Sequence, residues 1–257
     1  MEITSKENPV YKELRTLSKS SNSQFLIEGK KLFCEAINSK LTVLKIFIDK
    51  KNKEAFLELF PKYKNHELIF MSNDLISSLF TTVSKPTSKD LIVSVAKRPD
   101  WKLSDILKKG NNMILLEKIQ DPSNLGLVLR SALAFSACGV ILLDGTVDPF
   151  NTKVIRASAG AVFHIPTVRI ADLKEIQSFI KQEKYKIIGT SSKAGKKLTE
   201  LNFKSNHLFL FGNEGSGLSR KLIDYADEVV SIPHSQDAES LNLGIAVSIV
   251  LWEAYSR

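Results

Sequence analysis

The feature that most constrains this chain is a series of short apolar runs in its second half. They form the cores of strands predicted over Met113–Ile119, Val140–Leu143, Lys186–Thr190, His207–Phe211 and Glu228–Ile232, with room for helices between them. Continuous apolar runs of this length belong to strands buried on both faces, and parallel strands need helical crossovers between them. Helices are predicted over Leu125–Ala137, closed by Gly139, and over Thr152–Phe163, Asp172–Glu183, Ser219–Ala226 and Leu241–Ala254. The second half therefore predicts a mostly parallel α/β sheet with helices on both faces.

The first half alternates in the same way on a smaller scale. Strands are predicted at Gln24–Glu28, Leu41–Asp49, Glu67–Met71 and Asp90–Ala96, with helices at Gly29–Asn38, Glu54–Tyr63 and Ser72–Phe80. Ahead of them, Thr4–Ser23 reads as a basic arm whose Val10, Leu14 and Leu17 suit one short helix face. Lys97–Asn112, with Pro99 and Gly110, reads as a linker carrying a short helix. A boundary near residue 105 gives a small α/β domain over residues 1–105 and a larger α/β domain over 106–257.

Charge separates the halves. Residues 1–110 hold 20 basic and 13 acidic side chains, against 16 and 15 in residues 111–257, so nearly all of the formal +8 lies in the first half. Such an asymmetry points to a polyanion, most simply a nucleic acid backbone, with surface solvation as the plainer alternative. Cys34 and Cys138 allow neither a disulfide framework nor a CxxC metal site, and the four histidines lack ligand spacing, so no metal is expected. No run approaches the roughly 18 apolar residues of a membrane span, and the polar opening has no signal-peptide core, so a cytoplasmic protein without a membrane partner is expected.

Ligands of parallel sheets bind beyond the carboxyl ends of the strands. Three loops there stand out. Gln120–Gly126 (QDPSNLG) leads into a helix presenting Arg130, and Ser123 or Asn124 is placed to cap it. Arg130 stands in an otherwise apolar helix, so it either faces solvent or meets an anion. Phe211–Ser219 (FGNEGSGLS) is glycine-rich, yet matches neither a Walker loop nor a dinucleotide fingerprint, and a tight turn explains it equally well. Ile232–Asn242 (IPHSQDAESLN) is long enough to cover a ligand, although Ser240 and Asn242 also suit a helix cap.

In this order the loops resemble those of the SpoU/TrmH group of SPOUT RNA 2′-O-ribose methyltransferases. The resemblance is carried by Asp121, Pro122, Asn124, Leu125, Gly126 and Arg130, and by VDPFNTKVIRASAGAVF with Asn151, Arg156 and Ser158. It continues in Gly212, Glu214 and Gly217, then in Ile232, Pro233, Ser240, Leu241 and Asn242. One departure is Gln236, where the family usually has glycine. ITSKENPVYKELRTL and FLIEGKKLFCEAI are similar to the ribosomal-protein-like RNA-binding domain that many members carry.

The resemblance implies a trefoil-knotted domain holding S-adenosylmethionine (SAM), without metal, and working as a homodimer through that domain. It assigns cofactor binding to Thr190, Ser191, Gly212, Asn213, Gly217, Ile232 and Leu241. It assigns catalysis to Arg130, acting across the interface, with Asn124, Glu214, Ser240 and Asn242. Ribosomal RNA is the implied substrate ahead of transfer RNA. A catalytically silent knotted RNA-binding protein and a base methyltransferase are the competing readings.

Overall fold

The computed structural model describes residues 2–17, 23–80, 91–107, 112–235 and 237–257. Residues 18–22 of the arm, Asp90, Gly110 and Gln236 lie outside the described residues. The chain divides into two compact units, one of residues 1–99 with Phe150–Arg156, the other of residues 100–149 and 157–257.

The first unit runs β1 (Glu2–Ile3), α1 (Pro9–Leu17), β2 (Gln24–Glu28), α2 (Lys30–Asn38), β3 (Val43–Ile48), α3 (Lys53–Leu59), β4 (Leu68–Met71), α4 (Asn73–Ser77) and β5 (Ile92–Lys97). Its sheet has the order β1-β4-β3-β5-β2, with β5 antiparallel to both of its neighbours. The opening stretch carries the expected short helix as α1, with Val10, Leu14 and Leu17 on its packed face, and Tyr11 and Leu14, each 1% exposed, join Ile3, Leu26 and Phe47 in the core. The helix expected over Glu54–Tyr63 stops at Leu59, because Pro61 lacks the amide that would continue it, and a separate turn spans Pro61–Tyr63. Phe150 belongs here, its ring 4.7 Å from that of Phe25.

The second unit runs α5 (Leu103–Leu107), β6 (Met113–Leu116), α6 (Pro122–Ala134), β7 (Gly139–Leu143), α7 (Thr152–Ala157), β8 (Thr167–Ile170), α8 (Gln177–Gln182), β9 (Lys186–Thr190), β10 (Lys196–Lys197), β11 (His207–Phe211), α9 (Arg220–Tyr225), β12 (Glu228–Ser231) and α10 (Leu243–Ser256), with α7 beginning in the segment grouped with the first unit. The sheet order is β10-β12-β9-β11-β6-β7-β8, and every neighbouring pair is parallel. Met113, Leu115, Ile141, Leu208 and Leu210 form a core with Ile106, Ile180 and Leu222 on one face. The alternate residues Ile114, Leu116, Leu142, Phe209 and Phe211 are equally buried, so both faces are covered.

Because all the strands point one way, the loops after β6, β7, β8, β9, β11 and β12 leave from one edge. β11 follows β9 in the chain yet lies between β9 and β6, so the first and second loops leave from adjacent central strands. β8 and β10 were not expected. Both are edge strands, and β8 is mostly half-exposed, which removes the apolar run that marks a central strand. The helix expected over Thr152–Phe163 ends at Ala157, where Ala159 and Gly160 take φ of 51° and 86° and turn the chain.

Candidate active site

The first loop is fixed by Asp121, not by Ser123 or Asn124: its side chain accepts the Ser123 amide at 2.8 Å and caps α6, with Pro122 in the first turn. This leaves the Asn124 side chain for tertiary contacts. Close packing holds its helix in place, since a Cβ on Gly126 would come within 2.4 Å of the Ala157 Cβ.

Buried Asn124 joins the three loops. Its Nδ2 donates to Glu214 Oε1 at 2.9 Å, and its Oδ1 accepts from Asn242 Nδ2 at 2.8 Å. Asn242 Oδ1 in turn accepts the Gly244 amide at 2.9 Å as the N-cap of α10. The polarity of this relay follows from the helix end. A backbone amide only donates, so the Asn242 oxygen must face Gly244 and its NH2 must face Asn124. The NH2 of Asn124 is thereby aimed at Glu214, which accepts as a carboxylate.

The glycine-rich loop folds back on itself. Gly217 has φ of +69°, its amide donates to the Asn213 carbonyl at 2.8 Å, and a Cβ on Gly212 would lie 2.1 Å from the Gly217 carbonyl carbon. The Asn213 side chain staples the loop, donating to the Lys118 carbonyl at 3.0 Å and accepting the Gly215 and Ser216 amides. Glu117 completes the anchor by accepting the Ser219 amide at 2.8 Å. Glu117 and Lys118 were not singled out in the sequence, although a charged pair closing the apolar run MILL is visible there.

The remaining expected residues are placed as follows. Thr190 Oγ1 donates to the Leu210 carbonyl at 2.9 Å, and the Ser191 amide donates to the Val230 carbonyl at 3.0 Å. The Ile232 carbonyl accepts from His234 Nδ1 at 2.7 Å. Leu241 is half-buried, and exposed Ser240 makes no hydrogen bond among the described residues. Arg130 is exposed and has no partner among the described residues. It lies six positions after Asn124, about 120° around the helix and about 9 Å along it, so it does not converge on the relay within one chain.

The backbone groups of Gly212 and Leu241 enter no hydrogen bond among the described residues. Thr190 and Ser191 lie at the carboxyl end of β9, one strand from Gly212 after β11, and neutral donors and acceptors of this kind suit a nucleoside-like ligand. Among the described residues no His, Cys, Asp and Glu group is arranged to hold a metal, and no helix is long and apolar enough to cross a membrane.

Residues 111–252 match the model of the SpoU rRNA Methylase family. The chain is 31% identical over 256 residues to the 23S rRNA (guanosine(2553)-2′-O)-methyltransferase RlmP of Bacillus subtilis, covering 98% of each. It is 29% identical over 194 residues to the 23S rRNA (uridine(2479)-2′-O)-methyltransferase of Streptomyces viridochromogenes, covering 73% of this chain and 67% of that one. The AdoMet-bound rRNA methyltransferase structure from Sinorhizobium meliloti superimposes with a TM-score of 0.84 at 26% identity, covering 100% of this chain and 97% of that one.

Proposed function

The chain belongs to the SpoU rRNA Methylase family, and from that premise we propose that it transfers the methyl group of SAM to a ribose 2′-hydroxyl in 23S-type ribosomal RNA. The observation that carries the reading is the relay Glu214–Asn124–Asn242, which joins three loops at one point of the sheet edge. The two relatives named above modify a guanosine and a uridine. Family membership therefore leaves the target base open.

SAM supplies an electrophilic methyl on its sulfonium, and the residues fitted to hold it are Thr190, Ser191, Gly212, Asn213, Gly217, Ile232 and Leu241. The backbones of Gly212, Ile232 and Leu241 would supply most of the polar contacts, while the Asn213 side chain shapes the loop. The transfer would form the bond between ribose oxygen and methyl carbon as the sulfur–methyl bond breaks, with its electron pair staying on sulfur and the hydroxyl proton passing to solvent. A guanidinium is a cation and a hydrogen-bond donor, so the part of Arg130 is to stabilise the developing alkoxide or a neighbouring phosphate. Glu214, held as a hydrogen-bond acceptor by Asn124, orients the ribose together with Ser240 and Asn242.

Arg130 reaches that position from a second copy of the chain. Support for a homodimer comes from α10 (LGIAVSIVLWEAYS), which is apolar around nearly its whole circumference, as a helix covered on all sides would be. Its inner residues Val247, Val250 and Leu251 are buried, yet Ile245, Trp252 and Tyr255 are 48%, 54% and 62% exposed in the single chain, and Leu133 on α6 is 41% exposed. This surface calls for a twofold partner. We further read the second unit as trefoil-knotted, its end threaded so that the loop before α10 meets the loop after β11. The first unit, which holds most of the basic excess, is read as the domain that grips RNA.

The test is incubation of the full chain with methyl-labelled SAM and unmodified ribosomal or transfer RNA, followed by digestion to nucleosides. A label on a 2′-O-methylnucleoside from ribosomal RNA is the expected result. A label on a base, or on transfer RNA alone, would replace the reading, and no label at all would favour a silent RNA-binding protein.

A further inference from the structure

A cavity of about 180 Å³ opens at the carboxyl edge of the second sheet, bounded by the ends of β6, β7 and β8 and by α9. It is smaller than the roughly 300–1,000 Å³ clefts that hold drug-sized ligands, so it admits one heterocycle and not a whole SAM. None of the residues fitted to SAM lines it. It is nevertheless tied to the candidate active site, because Lys118, which lines it, accepts the Asn213 side chain through its carbonyl, and Asn213 adjoins Glu214.

The lining specifies a chemistry. Glu117 is only 9% exposed, and one of its oxygens takes the Ser219 amide while the other carries no hydrogen bond among the described residues. Asp144 is exposed with no hydrogen bond or ion pair, and the Lys118 ammonium is likewise unengaged, again among the described residues. Asp172 and Lys221, also in the lining, are paired at 2.5 Å and neutralise each other. Leu143, Leu173 and Leu222 supply apolar walls. The cavity thus offers two carboxylates seeking donors, one ammonium seeking an acceptor, and aliphatic surface for a flat ring.

Guanine meets this set best. Its N1–H and N2 amino group are adjacent donors for a carboxylate, and its O6 and N7 accept from lysine. Uracil has one N–H between two carbonyls, which would face the carboxylates with acceptors. Adenine and cytosine offer a single amino group beside an acceptor nitrogen. Given the methyltransferase reading, on which this inference rests, we propose that the cavity receives the guanine base of the nucleotide being methylated. Asp144 and Glu117 take its N–H groups, and Lys118 takes its carbonyl. Enzymes that read a displaced base do so through such hydrogen bonds to its edge. The buried Glu117 would be left with an unpaired oxygen by a base that offers no donor there, and that penalty discriminates against the wrong partner.

The test is amide NMR of the full chain titrated with guanosine 5′-monophosphate, inosine 5′-monophosphate and uridine 5′-monophosphate. Expected are guanosine-specific shifts at Lys118, Asp144, Ala171 and Asp172. Binding should be several-fold weaker for the inosine nucleotide, which lacks the 2-amino group, and at least tenfold weaker for the guanosine nucleotide in Asp144→Asn. Lys118→Met is the second variant, and the unchanged spectrum of each outside the cavity establishes that it folds. Equal shifts with uridine monophosphate, or an unaltered titration in a folded Asp144→Asn, overturn the proposal. The methylated nucleoside gives an independent check: 2′-O-methylguanosine supports the assignment, and any other 2′-O-methylnucleoside overturns it while leaving the methyltransferase reading intact. If no methyl is transferred that reading fails, but the nucleotide titration still judges the cavity.

Discussion

Asn242 donates to Asn124 at 2.8 Å while its own oxygen caps α10, so one amide both ends a helix and orients the candidate active site. Substitution should separate the two roles. Asn242→Asp keeps a good cap but replaces the NH2 by an oxygen facing the Asn124 oxygen, reversing or breaking the relay to Glu214. Methyl transfer should fall at least tenfold with the unfolding midpoint nearly unchanged. Asn242→Ala should lose both, with about 1 kcal/mol of stability. If the Asp variant were as active as the parent, the relay would be structural only.

The exposure of Arg130, about a third of a turn away from Asn124, predicts complementation between defective copies. Arg130→Ala and Glu214→Gln should each be nearly inactive alone. Co-expressed, they should yield mixed dimers with one intact site, recovering roughly a quarter of wild-type activity on random assembly of a twofold pair. If Arg130 served its own chain, both sites of the mixed dimer would be defective and co-expression would recover nothing.

Gly244 marks a close approach of α10 to α6, since a Cβ there would lie 2.5–2.9 Å from three atoms of Leu127. Alanine is the better helix former by about 1 kcal/mol, but overpacking costs about 1–3 kcal/mol. Gly244→Ala should therefore destabilise the protein on balance and weaken the Ser131–Ser248 hydrogen bond between the same helices, now 2.6 Å. Thermal unfolding decides the sign, and a raised midpoint would show that Leu127 moves aside freely.

The basic excess of residues 1–110 predicts that RNA binding is strongly salt-dependent through the first unit. Lys31, Lys50, Lys51 and Lys53 are exposed in the segments that follow β2 and β3, Lys31 in the first turn of α2 and Lys53 at the start of α3. Changing them together to Gln should reduce the slope of log affinity against log salt and leave SAM affinity unchanged. An unaltered slope would reduce the charge asymmetry to surface solvation.

The central strands were legible because burial on both faces writes a continuous apolar run: β9 and β11 begin and end where the sequence placed them. The edge strands β1, β8 and β10 are too short or too exposed to leave that mark. At the site, Asn124 lies 90 residues from Glu214 and 118 from Asn242, so no local pattern could pair them, and only the resemblance between ordered motifs did. For Asn242 the capping and functional readings proved compatible. For the first loop the capping residue was Asp121, one of three neighbouring side chains able to do it.

His207 gives the last prediction. Its ring is fully buried in the central strand β11, stacked 5.4 Å from the Phe209 ring. Burial pushes the imidazole below its ordinary pKa, and nearby Lys186 adds to this, against the weaker opposing pull of the Asn202 and Ser205 backbone and of Glu228. The unfolded chain therefore takes up a proton below about pH 6.5 that the folded chain refuses. Stability rises with pH wherever the unfolded state binds more protons, so this group costs nothing at pH 8 and destabilises increasingly as the pH falls below 6.5, by up to about 1.4 kcal/mol per pH unit. Glu228, held below the usual carboxylate range by hydrogen bonds from Lys186 and Lys196, has the same sign but acts only as the pH falls through its own depressed value, below this window. Urea midpoints at pH 7.5, 6.5 and 5.5 should decline in the parent and flatten in His207→Phe, which keeps the ring stack without a titrating nitrogen. An equal decline in both would assign the acid sensitivity to other groups.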